Sequence, residues 1–152
     1  MNLAASTVLI NGVGGIGAEP RPEREIPGEI VPPHELDQRL PEADFVVTTV
    51  PHTPETEGMW DARRFRSMKN SAYFVNIGRG MTTKLDDLVA ALENGELAGA
   101  GLDVFETDPL PEGHPLWQME NVLITPHVAV AEAENLPERR FELILDNPNP
   151  SS

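Results

Sequence analysis

The strongest constraint on the fold is a series of short apolar runs, each stopped by glycine or proline. Thr7-Val8-Leu9-Ile10-Asn11 is β-branched and apolar and runs straight into Gly12-Val13-Gly14-Gly15-Ile16-Gly17. The run at 45–50 is closed by Pro51, that at 73–77 by Gly78-Arg79-Gly80, and that at 122–124 by Thr125-Pro126-His127. A fifth run, 98–105, is built largely of small residues. Unbroken apolar runs of this length suit strands buried on both faces, where neither side meets water. Between them the period changes. Leu85, Leu88, Val89 and Leu92 fall on one helical stripe within 84–93, and Asn94-Gly95 supplies the stop. Asp61 is placed to cap a short helix reaching residue 68. Residues 34–40 suit one or two turns, with Leu36 and Leu40 on one side. A further helical pattern covers 132–146 and is interrupted or restarted at Pro137. Strands alternating with helices predict an α/β fold, a parallel sheet with helices on both faces.

With 152 residues the chain has room for one domain around a single core. Ten of its 15 prolines gather at 20–33, 109–115 and 148–150, which predicts loops or tails there. Pro20 and Pro22 stop any helix that begins near Gly15 within about a turn, so 18–33 reads as an irregular, charged connection. Residues 1–146 are taken as the domain and 147–152 as a tail. The formal net charge of −14 repels nucleic acid and anionic membranes, so neither is an expected partner. The absence of cysteine removes disulfides, thiolate nucleophiles and sulfur metal sites, and no His-x-x-x-His pair suggests a metal. No basic flank precedes a long apolar run, and no run approaches about 18 apolar residues, so a cytoplasmic location is expected.

Four places carry chemistry. In Gly12-x-Gly14-x-x-Gly17 the first glycine allows a tight turn, the second lets backbone approach a pyrophosphate, and the third lets helix and strand pack closely. The pyrophosphate of a dinucleotide would then meet free N–H groups at a helix N-terminus. Taken alone, the motif equally fits a glycine-rich turn after a strand. An acidic residue is called for about 20 residues on, and no strand there carries one; Glu29 sits among prolines and is not assigned the role. Arg79, flanked by glycines at the end of a parallel strand, points to a crevice where such sheets bind ligands, and guanidinium grips a carboxylate with two parallel hydrogen bonds. The run Leu102-Asp103-Val104-Phe105-Glu106-Thr107-Asp108-Pro109-Leu110-Pro111 ends a strand in a carboxylate and adds more in the loop. His127, after Pro126, suits acid–base work near neutral pH. Singly, each of these also fits a surface loop. His34, His52 and His114 lie in loops without obvious partners.

In this order the pieces change weight. Gly-x-Gly-x-x-Gly, the segment from Ala43-Asp44-Phe45 to Thr53-Pro54-Glu55-Thr56, the loop 76–80, the run 102–111, and Pro115-Leu116-Trp117 through Thr125-Pro126-His127 resemble the NAD(P)-binding domain of the D-isomer-specific 2-hydroxyacid dehydrogenases. The resemblance covers about 33–131, with a shorter match at 7–17. It implies a Rossmann-like nucleotide-binding domain inserted in a second, substrate-facing domain. It implies further that Arg79 binds the substrate's carboxylate and carbonyl oxygen, that His127 exchanges a proton with the substrate oxygen, and that Asp103 contacts the nicotinamide end of the cofactor. Gly12, Gly14, Gly15, Ile16, Gly17, Ile77 and Gly78 become cofactor contacts. The family pairs its histidine with a glutamate; Asp108 stands in that place, one methylene shorter.

The resemblance also implies departures. The helix after Gly17 and the strand after it read as deleted, with that strand's ribose-binding acid, and the substrate domain and the last long helix are not encoded. The function implied is reduction of 2-keto acids to D-2-hydroxy acids by hydride transfer from the reduced form of NAD or NADP, with NAD favoured. The implied partners are the dinucleotide, a small 2-keto or 2-hydroxy acid, and a second copy in a homodimer or a chain supplying the substrate domain. The alternative is a catalytically silent remnant or interaction module that keeps the scaffold. The isolated chain is expected to be weakly active or inactive.

Overall fold

The computed structural model describes residues 6–12 and 32–128. Its elements run β1 (Val8–Asn11), α1 (Leu36–Arg39), β2 (Phe45–Thr48), α2 (Ala62–Ser67), β3 (Tyr73–Asn76), α3 (Leu85–Glu93), β4 (Gly99–Leu102) and β5 (Val122–Ile124). Single turns of tighter helix at Pro33–Glu35, Leu40–Glu42, Gly80–Thr82 and Pro115–Gln118 punctuate them. The five strands form one parallel sheet in the order β1-β2-β3-β4-β5, so every strand pairs with its neighbour in the chain. The α/β reading of the sequence holds. Residues 13–31 and 132–146 lie outside the described residues, and with them the expected deletion, Glu29 and the helical pattern around Pro137.

Element ends differ from the sequence reading for physical reasons. The strands stop at Thr48, Asn76 and Leu102, short of 50, 77 and 105. Each ladder adds one more hydrogen bond, from Thr49 N to Asn11 O, Ile77 N to Thr48 O and Asp103 N to Asn76 O, before the chain lifts into its loop. The 34–40 helix is a patchwork instead, because Pro33 starts a tight turn and Pro41 sits inside the next one. Asp61 caps α2 as expected, its Oδ1 accepting from Arg64 N at 3.1 Å. Gly95 ends α3 with a positive φ of 69°.

Alternate strand residues face opposite sides. Leu9, Val46, Phe74, Ala100 and Val122 share one cross-strand row and join a single core with Leu36, Leu40, Phe65, Leu85, Leu88 and Trp60. Phe74 is the centre: Trp60 tilts against it at 5.1 Å and Phe65 meets it edge-on at 5.2 Å between ring centroids. α1, α2 and α3 all contribute to that one core. The opposite face leaves Val8, Ile10 and Leu123 exposed, the last at 68%. Among the described residues, then, the helices cover one face only. Among them too, no helix is long and apolar enough to cross a membrane.

Candidate active site

Parallel strands bring their C-terminal ends to one edge, and the loops that leave this edge carry the residues singled out above. At its β1 side, Gly12 has a φ of 115°, open to glycine and strained for other residues. A Cβ there would stand 2.6 Å from Thr49 Oγ1 and 2.7 Å from Val50 N. Thr49 Oγ1 donates to Gly12 O at 2.7 Å and stitches the ends of β1 and β2 together. Of the glycine run, Gly12 alone is described; Gly14, Gly15, Ile16 and Gly17 lie outside the described residues.

The loop after β3 is organised from beneath. Asn76 is fully buried at the end of the strand. Its Oδ1 accepts from Gly78 N at 3.0 Å, and its Nδ2 donates to Thr83 Oγ1 at 2.9 Å, Arg79 O at 3.2 Å and Thr82 Oγ1 at 3.3 Å. An amide with donors and an acceptor on one head serves both limbs of a tight loop. Gly80 lies so close to Phe105 that an added Cβ would fall on its carbonyl, which docks this loop against the residues leaving β4. Arg79 stands exposed at its crest, with Nη1 donating to Gly78 O at 2.8 Å. Ile77 beside it is exposed although apolar.

The loops after β4 and β5 meet. Asp103 is 3% exposed; its Oδ1 accepts from Thr125 Oγ1 at 2.5 Å and from Val128 N at 2.9 Å. His127 has a φ of 54°, its N–H bonded to Thr125 O at 3.1 Å. Its ring reaches Asp108, Nδ1 to Oδ2 2.8 Å, with both side chains 43% exposed. An ionised carboxylate only accepts, so Nδ1 is the donor and Nε2 is the nitrogen left to take or give a proton. The methylene by which aspartate is shorter than glutamate does not prevent contact. Val128, apolar and exposed, follows at once.

His34, His52 and His114 do have partners: His34 lies 3.8 Å from Glu35, His52 lies 3.5 Å from Glu57, and His114 Nδ1 accepts from Leu116 N at 3.3 Å. Each partner stands only one to five residues away, so nothing in the spacing sets these pairs apart. Conversely, the sequence reading assigns no role to the side chains of Asn76, Thr125 and Thr49, although a buried amide such as that of Asn76, closing an apolar strand, needs a partner. That need was the available signal.

Residues 18–129 match the family described as D-isomer specific 2-hydroxyacid dehydrogenase, NAD binding domain. Glyoxylate/hydroxypyruvate reductase B of Cronobacter sakazakii is 48% identical over 100 residues, 66% of this chain and 31% of that protein. An uncharacterized protein of Corynebacterium melassecola is 48% identical over 106 residues, 70% of this chain and 34% of the relative. The chain therefore spans about a third of the length of these curated relatives. Among solved structures, an NADPH-dependent glyoxylate/hydroxypyruvate reductase of Sinorhizobium meliloti, in complex with NADP and sulfate, superposes with a TM-score of 0.75 at 32% identity, covering 94% of this chain and 54% of that one. A probable 2-hydroxyacid dehydrogenase of Rhizobium etli, in complex with NADP, gives 0.72 at 33% identity, covering 92% and 53%.

Proposed function

This chain belongs to the D-isomer-specific 2-hydroxyacid dehydrogenase family, and we propose that it is the dinucleotide-holding part of a 2-keto acid reductase. The observation that carries the reading is the His127–Asp108 pair, seated at the sheet edge from which the Arg79 loop also rises. His127 Nε2 delivers the proton to the substrate's carbonyl oxygen, Asp108 steadies the imidazolium and sets the tautomer of the neutral ring left behind, and Arg79 grips the substrate carboxylate. The residues present suit a nicotinamide dinucleotide. Gly12 ends β1 without a side chain in a turn packed against Thr49 and Val50, and Ile77 and Val128 offer exposed apolar surface beside Arg79 and His127. Gly14, Gly15, Ile16 and Gly17 extend the first contact, with Gly78 and Asp103 as further contacts. A reduced nicotinamide, when bound, supplies the hydride to the carbonyl carbon.

The substrate class is a small 2-keto acid such as the glyoxylate and hydroxypyruvate named for the relatives. NAD is proposed ahead of NADP, in keeping with the family's description, and the neighbours solved with NADP make the phosphorylated form the control. A cytoplasmic setting belongs to the same reading, as does a partner that is a second copy or a chain carrying the substrate domain.

The test is NMR shift mapping of the chain titrated with NADH and NADPH to millimolar concentration. We expect changes at Gly12, Ile77, Gly78, Asp103 and the 125–128 loop, with a dissociation constant of about 100 µM or weaker, because charged contacts in a cleft open to water are weak. Where turnover of glyoxylate is measured, His127→Gln lowers kcat by about a hundredfold or more. A silent scaffold would give the same shift map without turnover. No shift with either dinucleotide would end the proposal.

A further inference from the structure

We propose that Asp103 is a positioning residue for His127: together with Thr125 it clamps the chain on both sides of the histidine and so holds the ring where Asp108 meets it. The need for a clamp comes from the backbone. A φ of 54° is left-handed, a conformation that non-glycine residues keep only where their surroundings impose it. Asp108 belongs to a different loop, and its side chain and the histidine's are both substantially exposed. Two exposed side chains gain little by pairing in water unless they are already held in register.

Asp103 provides that hold. One carboxylate oxygen receives the Thr125 hydroxyl and the Val128 N–H, which flank His127 in the chain. A buried carboxylate requires such donors, so clamp and burial support each other. Its own N–H is bonded to Asn76 O and Thr125 N to Leu102 O, so the clamp is fastened to the β3, β4 and β5 ladders rather than to loop alone. Thr125 is thereby a second positioning residue. The proposal rests on the functional reading for its consequence, since His127 is the proton carrier there, but its geometry is testable without cofactor or turnover. The cofactor contact proposed for Asp103 is a separate role.

The experiment is NMR of His127 in the cofactor-free chain. In the wild type we expect left-handed Cα and Cβ shifts at His127, a protected Nδ1 proton and a protected Val128 amide. In Asp103→Ala and in Thr125→Val, exchange of the Nδ1 proton and of the Val128 amide should accelerate by at least about tenfold, the factor carried by one hydrogen bond to a charged group. The His127 backbone shifts should move out of the left-handed range while the Trp60 amide stays protected. Asp103→Asn, which keeps an acceptor, and Thr125→Ser, which keeps the hydroxyl, should restore most of the signals. A folded Thr125→Val or Asp103→Ala variant with an unchanged His127 ring and backbone would overturn the proposal. So would a wild-type Val128 amide that exchanges like an open one, which decides the matter even if the variants do not fold. Failure to bind dinucleotide would leave all these signals intact and would count against the functional reading alone.

Discussion

Gly80 and Gly95 show how one residue type answers to different forces. Gly80 is held by lack of space, because a methyl group there would collide with the Phe105 carbonyl. Gly95 has nothing within 4 Å of an added Cβ and is held only by its φ of 69°. Gly80→Ala should therefore cost about 3 kcal/mol in urea unfolding, since backbone rather than a flexible side chain must yield. Gly95→Ala should cost about 1 kcal/mol, the penalty of a left-handed alanine. Equal losses would contradict this division. At the site, His127, Arg79 and Asp103 could be found in the sequence because each follows an apolar run, and a parallel sheet sends such positions to one edge. Asp108 was legible only through resemblance, being one of several acids in an acidic loop. The contacts of Asn76 and Thr125 were not legible, because they depend on which loop folds back over which strand.

At the scale of elements, the first helical turns are tied down by charge. Burial pushes the Asp37 carboxyl up, but hydrogen bonds from Arg64 at 2.7 Å and Arg63 at 2.8 Å outweigh it and hold the group below its ordinary 3.8. This joins α1 to α2. Asp44 is lowered chiefly by its hydrogen bond from Lys69 and next by that from Thr7 N, which ties the starts of β1 and β2 to the turn before β3. Both carboxyls are depressed in the folded state, so their stabilisation is present above the unfolded value and is lost as pH falls through the folded one. The urea midpoint should hold steady above about pH 5 and decline from about pH 4 downward. Asp37→Asn should flatten part of that decline; an unchanged slope would refute the assignment. None of these cross-element pairs was evident from spacing, whereas α2 and α3 were, because capping and an apolar stripe are local properties. Strand centres were legible for the same reason. Strand ends were not, because a ladder stops where its neighbour does.

For the molecule as a whole, the helices among the described residues cover one face of the sheet, and on the other Val8, Ile10 and Leu123 are exposed. An apolar face of this kind should bind a dye such as ANS, and Leu123→Lys should reduce that fluorescence while changing stability by no more than about 0.5 kcal/mol. Retained dye binding would mean that the apolar surface lies elsewhere. The strand order has a consequence in time. Each described strand pairs with the described strand made just before it, so among these strands none has to wait for a distant partner during synthesis. The sheet can lengthen as the chain emerges, β1 first. His127, which follows β5, is next to last among the described residues to emerge, so the acid–base pair closes only on a scaffold that is already standing. A ribosome-stalled chain ending at residue 120 should then protect the Tyr73 amide, which bonds to Asp44 O beside β2, before His127 exists for Asp108 to meet.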